Sequence, residues 1–255
     1  MIVKNVKKFS EKIAISDPQN YLLKIDKLPG YLRLVDGFLI DFLLNYYKDK
    51  TGNYLEIGSY LGKTLGILIK NSSPNETVYS LDLKDYGHAI RTNLSFLENI
   101  ENLKFIKDKS DNILNHNIKD IKFLHIDGCH SFDATYNDLC NSVTYTNDHC
   151  IVVLDDFVFN EYTGNVMAYF KALYTGKINY IPFMSSDRKL YLCNKSVHEE
   201  LLKYVKENIS TAFVKSDIKN IALNISEQKT DSYNMLSIST ERGYADECDY
   251  IKKLL

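Results

Sequence analysis

The chain has no run of 18 apolar residues, no stretch of five basic residues and no C-x-x-C pair. The first absence leaves no segment of membrane-spanning length. The N-terminal MIVKNVKKFSEKIAISDP carries basic residues without the apolar core of a signal peptide, so a cytoplasmic protein with no membrane partner is expected. Charge of one sign is also missing: 31 Lys and Arg face 33 Asp and Glu, a net of -2. Such a balance gives no bulk attraction to nucleic acid and suits a small or neutral substrate. The five cysteines (Cys129, Cys140, Cys150, Cys193 and Cys248) are odd in number and unpaired in spacing, which argues against a disulfide framework and a thiolate zinc site. Reduced, partly buried thiols are expected.

What the chain does have is 255 residues, 45% apolar and 25% charged, enough for one sizeable globular domain with additions. Residues 1–30 read as a loosely structured arm closing on Leu28-Pro29-Gly30, a turn signal. Leu32, Val35, Leu39, Phe42 and Tyr46 share one face of a helix from about Tyr31 to Lys48. Short aliphatic runs at 54–57, 78–81, 103–106, 122–126 and 151–154 alternate with helical patterns near 63–70, 89–100, 132–145 and 166–174. That alternation predicts a parallel sheet. Segments 178–184 and 189–193, joined by a short turn, predict an antiparallel hairpin. A domain at 31–196 is therefore set apart from a 197–255 extension. In the extension an amphipathic helix begins near Val197, strands at 218–225 and 233–239 could pair, and a last helix is expected at 247–255. A lid, a dimer contact or a partner contact are the roles open to it.

The stretch around which the rest is organised is Asn53 to Lys70, NYLEIGSYLGKTLGILIK. It reads as strand, glycine turn and helix, a place where bare backbone and unpaired helix N–H groups attract a polar or charged ligand. A phosphate-cradling P-loop needs four residues between its first Gly and the Gly-Lys-Thr, and here only Ser59, Tyr60 and Leu61 intervene. The dinucleotide fingerprint wants Gly where Tyr60 stands. What remains is E-x-G-x-x-x-G-x-T, which resembles the first motif of the Rossmann-like S-adenosylmethionine-dependent methyltransferases.

Acids recur at the expected strand ends: Glu56, Asp82, Asp127, Asp155 and Asp156. In open parallel sheets ligands bind beyond those ends. Asp127, Asp155 and Asp156 offer hard oxygens of the kind Mg²⁺ accepts. His130, at the mouth of the following helix, could take a proton from a substrate hydroxyl near neutral pH. His125, inside its strand, reads as a satisfied core histidine. Successive strand side chains point to opposite faces, so Asp155 and Asp156 can share a metal only where the chain is turning out of the strand.

The run I-D-G-x-H-S-F (126–132), a helix carrying Asp138, and V-V-L-D-D-F (152–157) resemble the bacterial metal-dependent sugar and macrolide-sugar O-methyltransferases, a family that includes cephalosporin hydroxylase-like proteins. The resemblance covers about residues 28–195. It implies a mostly parallel, doubly wound seven-stranded α/β sheet, with the strand order taken from the family. It implies S-adenosylmethionine held by Glu56, Gly58, Ser59, Tyr60, Gly62, Thr64, Asp82, Lys109, Ser110 and Asp127. Mg²⁺ would be held by Asp127, Asp155 and Asp156, with His130 as base beside Asp127. The implied partner is a hydroxylated small molecule or a sugar. Cys129 and Lys107 depart from the family pattern, which often has an acid and a glycine there. Two other readings stay open at this level: a nucleotide-dependent enzyme using the same turn, and a non-catalytic cofactor-binding or partner-binding module.

Overall fold

The structure, a computed structural model, describes residues 21–157, 159–216, 218, 221–229 and 233–241. The first 20 residues of the expected arm, the expected helix at 247–255 and Cys248 lie outside the described residues.

Among the described residues nine strands form one sheet: β1 (Asn53–Ile57), β2 (Val78–Asp82), β3 (Leu103–Lys107), β4 (Ile121–Ile126), β5 (Thr146–Leu154), β6 (Tyr180–Ser185), β7 (Leu190–Asn194), β8 (Ala222–Lys229) and β9 (Asn234–Glu241). Their spatial order is β3-β2-β1-β4-β5-β7-β6-β9-β8. The first five are mutually parallel, and β7 runs antiparallel to both β5 and β6. Seven strands were expected. The tail supplies the other two, because β8 and β9 pair as an antiparallel hairpin and β9 adds in parallel to β6 at Met184–Leu236 and Ser185–Ser237. The pairing of the two tail segments is legible in their sequence; that they continue the main sheet is not.

Helices α1 (Tyr21–Asp26), α2 (Leu34–Tyr46), α3 (Lys63–Asn71), α4 (Gly87–Asn93), α5 (Phe132–Ser142), α6 (Thr163–Tyr174) and α7 (His198–Lys215) cover the two faces. The end of the expected loose arm is thus helical. In α1 the side chains of Leu22 and Ile25 are buried, and α4 stops at Asn93 rather than near Ile100. The α2 helix is also buried around most of its girth, from Val35 to Leu44.

The central strands explain how one sheet serves two cores. In β4 and β5, Phe123, Ile151 and Val153 join the apolar layer that includes α2, α3 and α7. Ile121, Leu124, Ile126, Val152 and Leu154 join the other, under α5 and α6. Alternation at period two with apolar residues on both faces is what a strand buried on both sides requires. No helix among the described residues is long and apolar enough to cross a membrane. Cys150 and Cys193 are buried free thiols, while Cys129 is exposed and Cys140 half-buried.

Candidate active site

The glycine turn holds its shape through backbone that only glycine tolerates. Gly58 has φ +86°, and a β-carbon there would lie 1.9 Å from the Asp127 carbonyl oxygen. The carboxyl ends of β1 and β4 are therefore in direct backbone contact, fastened by the Asp127 N–H donating to the Ile57 carbonyl at 2.9 Å. Tyr60 takes φ +43° and Gly62 φ +89°. The Tyr60 N–H donates to Asp82 Oδ2 at 2.9 Å, and Ser59 Oγ meets Ser80 Oγ at 2.5 Å, tying the turn to β2. Helix α3 then begins with no side-chain cap. Its first-turn N–H groups are the polar donors that such a turn offers a ligand.

Glu56 sits beneath this turn, 2% exposed. Its Oε1 accepts from His125 Nδ1 at 2.9 Å, while Oε2 has no hydrogen-bond partner. A buried carboxylate oxygen without a donor costs about 1–3 kcal/mol or more. Such an atom beside an open turn marks a place where an incoming donor is stabilised.

From His125 a chain of polar contacts crosses to the far hairpin. The ring's Nε2 lies 2.9 Å from Lys189 Nζ, and that ammonium donates to Asp155 Oδ2 at 2.7 Å. Lysine has only donors, so His125 accepts at Nε2 and carries its hydrogen on Nδ1 toward Glu56. His125 is thus the satisfied core histidine that its strand position suggested. The β5–β7 register explains Lys189: Leu154 pairs with Leu190, which puts Asp155 opposite Lys189. Lys189 is itself buried at 2% exposure. Burial works to lower its pKa, but Asp155, Asp127 and Asp36 outweigh that and raise it. Burial likewise works to raise Asp155, yet the Lys189 ammonium holds its carboxyl well below the usual range. Asp127 goes the other way, pushed up by loss of solvent and by the negative charge of Asp155. Removing one partner of a buried pair of this kind typically costs about 3–5 kcal/mol.

Asp156 parts company with Asp155. Its φ of +47° turns the chain out of β5, and its Oδ1 lies 3.4 Å from Arg188 Nη1. His130 Nε2 stands 3.7 Å from Asp127 Oδ1 and 3.7 Å from Asp156 Oδ2. Its other ring nitrogen faces the Asn165 amide nitrogen at 3.3 Å; Asn165 is fixed in turn by Thr135 Oγ1 at 2.8 Å and the Asp155 carbonyl at 3.1 Å. The Tyr162 ring leans on the imidazole at 4.4 Å between centroids.

Of the residues singled out in the sequence, Glu56, Gly58, Ser59, Tyr60, Gly62, Thr64 and Asp82 gather around the glycine turn, and Asp127, His130, Asp155 and Asp156 lie along the neighbouring strand ends. Among the described residues, the group whose ligand atoms come within 4.8 Å of one another is Glu56, His125 and Asp127, rather than Asp127, Asp155 and Asp156. Ser110 opens a short 3-10 helix (Ser110–His116) after β3 and works to lower the pKa of the buried Asp138 of α5. Lys109 precedes it, its N–H donating to Asp108 Oδ1 at 2.7 Å. Lys189 and Asn165 were not legible as site residues. The one available signal is that the hairpin turn carries Arg188-Lys189, two bases, two strands after the acid pair.

This arrangement is a glycine turn opening on a buried acid with one unpartnered oxygen, beside a histidine flanked by carboxylates, at the carboxyl edge of a doubly wound sheet. A family model described as a methyltransferase domain matches residues 55–157, the segment from β1 to just past Asp156. Residues 55–157 are similar to a methyltransferase domain. Solved structures share this fold. The O-methyltransferase NovP superposes with a TM-score of 0.55 at 14% identity, over 63% of this chain and 80% of that one. An O-methyltransferase from Bacillus cereus in complex with SAH gives 0.54 at 15% identity, over 71% and 94%. MycE, a methyltransferase from the mycinamycin biosynthetic pathway in complex with Mg, SAH and mycinamycin VI, gives 0.50 at 15% identity, over 68% and 54%. A comparison with curated protein sequences finds no match.

Proposed function

We propose that this methyltransferase uses S-adenosylmethionine and methylates a hydroxyl oxygen of a small molecule, a sugar in the leading case, with residues 31–196 as the transferring unit and 197–255 as its extension. The observation that carries the reading is Glu56 Oε2, buried beside the glycine turn with no partner. The cofactor's amino-acid end carries an ammonium that would satisfy it and a carboxylate suited to the uncapped N–H groups of α3. Asp82 spends one bond per oxygen on the N–H groups of Tyr60 and Lys84, which leaves lone pairs for ribose hydroxyls. S-adenosylmethionine, when bound, supplies a methyl group on a positively charged sulfur. The neighbours named as O-methyltransferases support oxygen as the atom methylated, and mycinamycin VI in MycE supports a small-molecule acceptor.

His130 is placed to receive the acceptor's hydroxyl proton at Nε2. Bound cofactor would supply its methyl group to the acceptor oxygen and keep the carbon–sulfur electron pair on sulfur, while this chain takes up the hydroxyl proton at His130. The proton stays on the imidazole, where Asp127 and Asp156 at 3.7 Å stabilise the cation. Base action at Nε2 requires the ring hydrogen on Nδ1, and so the amide oxygen of Asn165 must turn toward it. In the structure the amide nitrogen faces Nδ1 and also donates to the Asp155 carbonyl, so that turn breaks the Asp155 bond before the ring acts as a base. Tyr162 and Phe159 stand near as aromatic surfaces for a sugar ring. A divalent ion is implied by the family resemblance, but the carboxylates do not suit one here, since Asp155 and Asp156 each already face a basic side chain. No step above uses a metal.

The test is calorimetric titration with S-adenosylmethionine, followed by a methyl-transfer screen over hydroxylated acceptors. His130→Ala should abolish transfer while cofactor affinity stays within about threefold of wild type, since His130 makes no contact with the glycine turn. Absence of cofactor binding in the wild type, or full transfer by the variant, would overturn the proposal.

A further inference from the structure

We infer that Lys189 and Arg188, from the turn before β7, stand in for a divalent cation at this carboxylate cluster, so that the protein binds no metal there and transfers methyl without one. The inference rests on the methyltransferase reading and deepens it.

Three observations carry it. First, the two consecutive acids after β5 are matched one to one by two consecutive bases: Lys189 Nζ on Asp155 Oδ2 at 2.7 Å and Arg188 Nη1 toward Asp156 Oδ1 at 3.4 Å. The match follows from the antiparallel β5–β7 register, which brings the start of one strand to the end of the other. The Lys189 half is thus built into the sheet, while Arg188 reaches Asp156 from the more exposed turn. Second, the ammonium is locked from the opposite side, because its other polar neighbour is His125 Nε2 at 2.9 Å, in a chain that ends on Glu56. A dication taking Asp155 Oδ2 as ligand would have to displace a buried charge from two partners at once. Third, the Glu56, His125 and Asp127 group, the tightest gathering of ligand types among the described residues, has no ring nitrogen to spare. His125 donates from Nδ1 to Glu56 and accepts at Nε2 from Lys189, so metal ligation at either nitrogen breaks an existing buried bond.

A fixed ammonium also does part of what a metal would. It sets one positive charge among Asp155, Asp127 and Asp36, and it holds Asp155, whose carbonyl fixes Asn165 against His130. Lys189 is accordingly a positioning residue for His130. It differs from a metal in offering no open coordination position for a hydroxyl.

The experiment is titration of chelator-treated wild-type protein with Mn²⁺, read by calorimetry and by the electron paramagnetic resonance of free Mn²⁺, and repeated with Mg²⁺ by thermal shift. Lys189→Met and Lys189→Gln are titrated in parallel. The expected result is no saturable Mn²⁺ site in the wild type, and a new one in at least one Lys189 variant that is lost again when Asp155→Asn is added. A stoichiometric wild-type site abolished by Asp155→Asn would overturn the inference, as would Lys189 variants that fold and bind S-adenosylmethionine yet gain no site. Should neither variant fold, the wild-type titration decides alone. Titration with S-adenosylmethionine on the same preparation separates the two claims: its failure removes the methyltransferase mechanism, while the Mn²⁺ result is read independently.

Discussion

Asp138 gives the sharpest quantitative handle on this fold. It lies on the inward face of α5 at 1% exposure, with its Oδ1 buried and without a hydrogen-bond partner. Burial, with a smaller push from Asp111 and a counter-pull from Ser110, raises its pKa from 3.8 to about 6. A carboxyl whose folded pKa lies above its unfolded value binds its proton more tightly in the native state. Its stabilisation is therefore complete below the unfolded pKa, near 4, and is lost as pH rises through about 6. The gap of about 2 pKa units corresponds to roughly 3 kcal/mol, at about 1.4 kcal/mol per unit. Asn has nearly the same shape and no charge at any pH, so Asp138→Asn should remove this dependence. Urea unfolding of wild type and variant across pH 4 to 8 measures it, and taking the difference cancels every carboxylate the two proteins share. We expect the variant to gain stability relative to wild type as pH rises, toward about 3 kcal/mol by pH 8, with the gain levelling off above pH 6. A difference that is flat across this range, or that favours wild type increasingly at high pH, would refute the assignment of Asp138 as a buried acid held against its charge.

Two further outcomes follow from the same geometry. Gly58→Ala sets a β-carbon 1.9 Å from the Asp127 carbonyl at a positive φ, so β1 and β4 must part at their carboxyl ends; we expect a loss of more than about 3 kcal/mol in thermal or urea unfolding, and wild-type stability would contradict the backbone contact. Glu56→Gln keeps the shape beneath the turn and removes the charge that awaits a donor; S-adenosylmethionine affinity should fall by about tenfold to a hundredfold in calorimetry, and unchanged affinity would separate Glu56 from the cofactor.

Local patterns wrote much of this fold into the sequence. Strand β4 is uniformly buried and β5 uniformly aliphatic from Ile151 to Leu154, because both faces of the sheet are covered, and the glycine turn is legible because Gly58 and Gly62 stand where φ must be positive. What a local pattern cannot carry is a contact between distant elements. Nothing near Ala222 or Asn234 says that their hairpin will add to β6, since edge pairing depends on which edge is left open once seven strands have assembled. The site divides along the same line. Glu56, Asp82, Asp127 and Asp155 announce themselves by ending strands, a property each carries alone. Lys189 acquires its meaning from a register across β5 and β7, and Asn165 from the way α6 crosses behind the His130 loop. Reading the acid row by itself suggests a site short of positive charge, which is the argument for a metal. With the register included, the deficit is already met by Lys189 and Arg188. The same row of acids therefore supports opposite chemistry depending on one antiparallel pairing, and a titration with Mn²⁺ is a test of that pairing as much as of the metal.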